Sequence, residues 1–157
     1  MKVVIRDRVI LGTLASLVAA VPQAILNLIS KALGLSKIYS FTLAGGVFLR
    51  NKITEDSGGI FLGSILWLFT AAFLGYLIVL FLQYTGKDYW WFKGPFVTII
   101  FMHLLIYGFM FNMANAKVIP IDIPTNISIF AENIVFGVIV GYLIIRWSGD
   151  VPELKGK

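Results

Sequence analysis

Two ionisable side chains, Glu132 and His103, lie within long apolar stretches of the 157-residue sequence. An ionisable group at membrane depth is costly, and by default it indicates a function such as proton relay or ligand contact. Tyr107 follows His103 by one helical turn and would share its face. The competing explanation for His103, which we favour, is a neutral imidazole that is hydrogen-bonded to a neighbouring helix.

Glu132 also has two explanations. Ser128 is a plausible N-cap, which would place Glu132 near the first turn of a helix, where the helix dipole favours negative charge. Alternatively, Glu132 belongs to a group of polar residues expected on one side of a membrane, and these are Gln23, Asn27, Asn112, Asn115, Glu132 and Asn133. Such a group would either line an outward-facing polar cavity or form a hydrogen-bond network that closes the bundle.

Most other site chemistry is excluded by composition. The sequence has no cysteine, which excludes disulfides, thiolate metal sites and cysteine nucleophiles, and one histidine cannot form a multi-histidine metal site. It contains no phosphate-binding loop, HExxH, GxSxG or EF-hand pattern. An embedded enzyme would have to be built from Glu132, His103 and carboxylates such as Asp122. We therefore predict a protein without enzymatic activity, metal or cofactor.

The elements that position these residues are membrane helices. The chain is 59% hydrophobic and 13% charged, whereas a soluble domain averages about 45–50% apolar and about 25% charged residues. A helix of about 20 apolar residues crosses the hydrocarbon and satisfies its own backbone hydrogen bonds. Stretches almost free of charge predict an all-α, polytopic membrane helix bundle of one domain, residues 1–157, with four transmembrane helices at about 9–30, 59–84, 94–114 and 128–147.

Residues 35–50 are mostly apolar but too few to span the membrane. We expect an interfacial or re-entrant segment there, with a loop folded over the helix ends as the alternative.

The orientation in the membrane is predicted from the basic residues: eight of the 13 lysines and arginines would be cytoplasmic if both termini are inside. The basic residues are scattered and form no stripe, so we predict the lipid bilayer and not nucleic acid as the partner.

Glycines spaced by four residues predict where the helices meet. Gly59 and Gly63 form such a pair in the second helix, and Gly137 and Gly141 form another in the fourth. Small residues at this spacing let helix backbones approach closely in a membrane. The contact would be internal, or it would join a homo-oligomer or another membrane protein.

Short motifs between residues 38 and 147 resemble those of a known group of proteins. They are Trp91-Phe92-Lys93-Gly94, His103, the loop Pro120–Pro124, Asn126, Ala131-Glu132-Asn133, Gly137 and Arg146. In this order they resemble the small four-helix bacterial inner-membrane proteins of the YagU and YqhR type. The resemblance implies four helices and a bacterial inner-membrane location, and it draws attention to His103, Asp122 and Glu132. It implies no molecular activity.

These observations predict a small integral inner-membrane protein that acts as a binding, assembly or stress-related membrane component. The alternative is an oligomeric transporter or channel subunit for a small solute or ion, which would use the outward-facing polar cluster.

Overall fold

The computed structural model describes residues 4–46, 49, 56–105, 108–109 and 122–149. Within these residues the regular elements are all helices, so the predicted all-α fold is confirmed for this part of the chain. The helices are α1 (Arg8–Ala32), α2 (Ser40–Gly45), α3 (Ser57–Thr85), α4 (Trp90–Met102) and α5 (Ile123–Trp147).

Three of these helices, α1, α3 and α5, are long and apolar enough to cross a membrane. They contain 25, 29 and 25 residues, which at 1.5 Å per residue gives about 38–44 Å. The apolar stretch that begins with α4 is described as a helix only from Trp90 to Leu105 and is shorter than the others. Three candidate spans are therefore present, and the predicted fourth span at 94–114 extends beyond the described residues.

The last helix begins earlier than predicted from Ser128 as its N-cap. Ile123, not Ser128, is its first residue, and the side chain of Asp122 accepts a hydrogen bond from the Thr125 N–H at 3.1 Å. The prediction that Ser128 caps this helix is wrong, because an aspartate followed by a proline at the helix start already provides the cap. Glu132 consequently lies nine residues inside α5, roughly 14 Å from its start, beyond the reach of the helix dipole.

Glycines lie where the helix backbones touch. A Cβ added to Gly12 of α1 would lie 2.6 Å from the carbonyl carbon of Gly75 of α3, and one on Gly137 of α5 would lie 2.5 Å from the nitrogen of Pro95. The atoms met are backbone, so α1 touches α3 and α5 touches α4 without intervening side chains. Gly141 makes a looser approach, 2.9 Å, to the carbonyl oxygen of Trp90.

The other predicted glycine pair contacts the short helix α2. A Cβ on Gly63 would meet the carbonyl oxygen of Phe41, and one on Gly45 would lie 3.5 Å from the carbonyl oxygen of Gly59. The predicted interfacial or re-entrant segment at 35–50 therefore contains a six-residue helix that packs against α3. Residues 47–48 and 50 of that segment lie outside the described part.

The two ends of the bundle differ in what they hold. At one end the Ile5 N–H donates to the Trp147 carbonyl oxygen at 2.9 Å, and Lys87 donates to the Gly149 carbonyl oxygen at 3.1 Å. The start of α1, the α3–α4 turn and the end of α5 therefore lie together. The apolar core occupies the adjoining half of the bundle, and its members include Leu11, Ala15, Ala19, Leu74, Ile78, Phe136, Val140 and Ile144. The polar residues lie beyond this core, toward the opposite end.

Candidate functional site

Glu132 is buried at the meeting point of three helices, with 2% of its surface exposed. Its Oε1 accepts hydrogen bonds from Asn27 Nδ2 and from the Ser128 hydroxyl, both at 3.2 Å. Its Oε2 accepts from Asn27 Nδ2 at 3.1 Å and from the Ser40 hydroxyl at 3.2 Å. We call these four residues the Glu132 cluster. Because Asn27, Ser40 and Glu132 lie on α1, α2 and α5, the cluster joins those three helices.

Asn27 also accepts a hydrogen bond within the cluster. Its Oδ1 accepts a hydrogen bond from the backbone N–H of Ser40 at 3.0 Å. Ser40 is the first residue of α2, and the preceding residue, Tyr39, offers no capping side chain. The first N–H groups of a helix have no partner within it, so Asn27 supplies from α1 the cap that α2 lacks locally. This bond fixes the short helix to the bundle.

The partners of the Glu132 carboxyl are all neutral hydrogen-bond donors. None of its described contacts is a lysine or an arginine. A buried polar group that loses its hydrogen-bond partners costs free energy. These hydrogen bonds hold the Glu132 carboxyl group in one orientation. Replacing its oxygens by carbon would leave the donors unpaired and destabilise the protein.

A second polar contact fixes the loop before α2 to the start of α5. Asp122 Oδ2 accepts a hydrogen bond from the Thr125 hydroxyl at 2.7 Å, and Thr125 Oγ1 accepts from the Lys37 N–H at 3.0 Å. The pKa of Asp122 is lowered, chiefly by the Thr125 hydroxyl and further by the Thr125 N–H and Lys37. The Lys37 ammonium lies 3.4 Å from Asp122 Oδ1, but its side chain is mostly exposed, so this ion pair adds little. Asp122 thus acts as a helix cap.

A cavity of about 430 Å³ adjoins the cluster. Its walls are mainly aromatic and aliphatic, and they include Trp67, Phe69 and Phe73 of α3 and Phe101 of α4. The volume lies within the range of small-molecule sites, about 300–1,000 Å³. The rings of Phe73 and Phe101 meet edge to face, with their centroids 5.8 Å apart.

The cavity opens sideways, at the middle of a candidate membrane span. Phe69 and Phe73 line it and yet are 71% and 49% exposed, which places them at its mouth. Phe69 lies twelve residues into the 29-residue α3, close to the centre of that helix. In a membrane that α3 crosses, the mouth would therefore face the lipid chains.

Polar side chains line the buried part of the cavity. Gln23 of α1 is only 4% exposed, and its amide has no hydrogen-bond partner among the described residues. Asn133 of α5 donates from Nδ2 to the Ile129 carbonyl oxygen at 2.8 Å and to Met102 Sδ at 3.1 Å. Ser40 belongs both to the cavity wall and to the Glu132 cluster. The inner end of the cavity is therefore polar, and its mouth is apolar.

The structure brings some of the predicted site residues together and separates others. Asn27 and Glu132 are in contact, and Gln23 and Asn133 line the adjoining cavity. His103 follows α4 with an exposed side chain and lines neither the cavity nor the cluster. The remaining candidates lie outside the described residues: Tyr107, Asn112 and Asn115. In the described part of the chain, no group of three His, Cys, Asp or Glu residues is arranged to hold a metal ion.

Two residues of the candidate site are not predicted from the sequence. Ser40 lies in the segment at 35–50 that the sequence places only ambiguously, and its one sequence signal is a hydroxyl residue before a short apolar run. Trp67 lies in a uniformly apolar helix, where the sequence gives no signal for the side that faces a cavity.

The chain matches no family model, no curated protein and no solved structure. Its function is therefore inferred from the cavity and the Glu132 cluster.

Proposed function

We propose that this protein is an integral membrane protein that binds a lipophilic molecule in its cavity and has no enzymatic activity. The observation that carries the proposal is the cavity of about 430 Å³, apolar over most of its wall and open at mid-depth of α3. A ligand dissolved in the bilayer would enter it without passing through water. The charge bias and the resemblance noted above support a bacterial inner membrane with both termini cytoplasmic.

The side chains at the inner end of the cavity support binding over catalysis. A general acid or base must lie within hydrogen-bond reach of the proton it transfers. The polar side chains there are amides and hydroxyls, those of Gln23, Ser40 and Asn133, which bind and orient but do not exchange protons readily. Glu132, the nearest carboxyl group, does not line the cavity, and its oxygens accept four hydrogen bonds from protein groups.

The same arrangement argues against the transporter or channel alternative. That function would need an aqueous route to a group that takes up and releases the solute. Glu132 is buried in a closed set of hydrogen bonds that joins α1, α2 and α5, which favours a structural role for it.

The proposal is tested with Trp67, which lines the cavity. A variant that retains only this tryptophan is placed in nanodiscs, and an uncharged lipid with a dibrominated chain, a monoacylglycerol, is titrated in. Bromine quenches tryptophan fluorescence on contact. We expect quenching that saturates at a low fraction of brominated lipid, because a site is being filled. Ala44→Phe, which adds a ring to the cavity wall, should abolish the saturable part.

The matched control carries its single tryptophan one residue further along. Leu68 is exposed and does not line the cavity, so a Leu68→Trp, Trp67→Phe variant reports on lipid at nearly the same depth. Its quenching should rise in proportion to brominated lipid and should not respond to Ala44→Phe. Identical titration curves for the two tryptophans, both insensitive to Ala44→Phe, would refute the proposed function.

A further inference from the structure

We infer that the ligand is an uncharged amphiphile whose head is a hydroxyl-type group, able both to donate and to accept a hydrogen bond, held by Gln23 and Asn133. The inference rests on the proposed function, since it concerns the same cavity. Three features of the cavity support it: the amide atoms that are free to bind a ligand, the absence of charge on the described part of the wall, and the position of the mouth.

The amide of Gln23 is available to bind the head of a ligand. Its side chain is almost completely buried, lines the cavity and has no hydrogen-bond partner in the described part of the chain. Among the described residues the fully buried side-chain atom without a partner is Gln83 Oε1 and not an atom of Gln23, so the Gln23 amide reaches the cavity space. An amide without a partner is costly in apolar surroundings. The amide has two donor hydrogens and one acceptor oxygen, so a group in the cavity that both accepts and donates would satisfy it.

Asn133 supplies the second contact. Its Nδ2 is already used by the Ile129 carbonyl oxygen and by Met102 Sδ, which fixes the orientation of the amide. The oxygen Oδ1 is then the atom left to bind a ligand, and it only accepts. A head that only accepts hydrogen bonds would leave this oxygen unpaired, so the pair of residues favours a head that also carries a donor.

The charge of the wall selects a neutral head. None of the described residues that line the cavity is acidic, basic or a histidine. A phosphate or carboxylate would enter without a compensating cation, at the cost of an unpaired buried charge. An ammonium group would find no anion on the wall, because Glu132 lies behind Ser40 and accepts hydrogen bonds from the protein.

The mouth indicates where the rest of the ligand lies. The polar groups are at the buried end, on α1 and α5, whereas the exposed rings of Phe69 and Phe73 are at the open end on α3. An apolar chain attached to the head would therefore leave between aromatic side chains into the hydrocarbon. Long-chain alcohols and monoacylglycerols have this chemistry.

The test compares two probes with the same chain and different heads, dibromo-octadecanol and dibromo-octadecyl sulfate. Each is titrated into nanodiscs that contain the variant with Trp67 as its single tryptophan. We expect half-maximal quenching by the alcohol at about a tenfold lower mole fraction than by the sulfate, equivalent to about 1.4 kcal/mol. Gln23→Leu, similar in size, should raise the mole fraction of the alcohol at half-maximal quenching, because the hydroxyl head loses its amide partner.

Gln83→Leu is the matched control, because Gln83 is a second glutamine that does not line the cavity. It should leave the mole fraction of the alcohol at half-maximal quenching unchanged. Saturable quenching that is the same for both heads would overturn the inference and leave the proposed function standing. If neither probe quenches Trp67 more than it quenches the single tryptophan of the Leu68→Trp, Trp67→Phe control, the proposed function is overturned as well. The comparison of heads in the otherwise unchanged protein decides the matter even if Gln23→Leu does not fold.

Discussion

The contact between α4 and α5 at Gly137 gives the sharpest prediction about stability. In Gly137→Ala the new methyl carbon would lie 2.5 Å from the nitrogen of Pro95 and 2.7 Å from the carbonyl carbon of Gly94. Ordinary contact distances begin at 3.4 Å. The atoms met are backbone, so they cannot rotate away as a side chain would. The two helices must separate locally by about 1 Å to accept the methyl group.

The cost of this change follows from two opposing effects. Overpacking a tight contact costs about 1–3 kcal/mol, and a clash with backbone atoms belongs at the upper end. Alanine is the better helix former by about 1 kcal/mol. We therefore expect Gly137→Ala to lower the free energy of unfolding by about 2 kcal/mol. Denaturation of the detergent-solubilised protein, followed by circular dichroism, measures it.

Gly58→Ala is the matched control. Gly58 also lies in a helix, but an added Cβ would meet no atom within 4 Å, so this variant should gain stability from helix propensity, by up to about 1 kcal/mol. Gly94→Ala should behave like Gly137→Ala, and the double variant should cost less than the sum, because one separation of the helices accommodates both methyl groups. Changes of the same sign in Gly58→Ala and Gly137→Ala, or strict additivity at Gly94 and Gly137, would refute the reasoning.

Three further predictions concern the polar residues and the ends of the bundle. Glu132→Gln should fold and lose less stability than Glu132→Leu, because the Ser40 and Ser128 hydroxyls can rotate to suit the amide and only Asn27 Nδ2, fixed by its neighbour, meets a second donor. Glu132→Leu should lose about 1–3 kcal/mol by leaving buried donors unpaired; equal denaturation curves for the two variants would contradict this. Because the folded-state pKa of Asp122 is lowered, its stabilisation is complete above the unfolded value of about 3.9 and is lost as the pH falls through the lowered pKa. Asp122→Asn should remove that part of the pH dependence of the denaturation midpoint, and an unchanged dependence would count against the cap. Single cysteines introduced at the exposed Asp88 and Ile123 should react with a membrane-impermeant maleimide from opposite sides of a proteoliposome, because the chain between them is predicted to cross the membrane once. Reaction of both cysteines from the same side would contradict this crossing.

The long helices could be predicted from sequence because their signal is local. The predicted bounds 9–30 and 59–84 compare with Arg8–Ala32 and Ser57–Thr85 in the structure. A charge-free apolar run is a property of neighbouring residues and needs no knowledge of packing. The predicted start of α5 at 128 is too late because it takes Ser128 as the N-cap. Asp122 and Pro124 are themselves a helix-start signal and lie where the helix begins.

The site was less predictable, because its parts are distant in the chain. Asn27 and Glu132 are separated by 105 positions, and only the crossing of α1 with α5 brings them together. The position of Asn27 and Glu132 along their helices follows from the sequence. The direction in which a side chain points does not, when every side of the helix is apolar. This is why His103, placed at mid-depth by its spacing, proves to have an exposed side chain. The cavity, a space between side chains, has no sequence signal.

The long separation between Asn27 and Glu132 has a consequence for how the protein is made. Chains are synthesised from the N-terminus, so α1 and α2 are complete well before Glu132 has been added. Until α5 arrives, Asn27 and Ser40 have each other but lack the carboxyl group that joins them to the rest of the bundle. The last helix thus acts as the closing step of assembly, and a chain that stalls before residue 132 would leave the Asn27 amide and the Ser40 hydroxyl without their carboxyl partner.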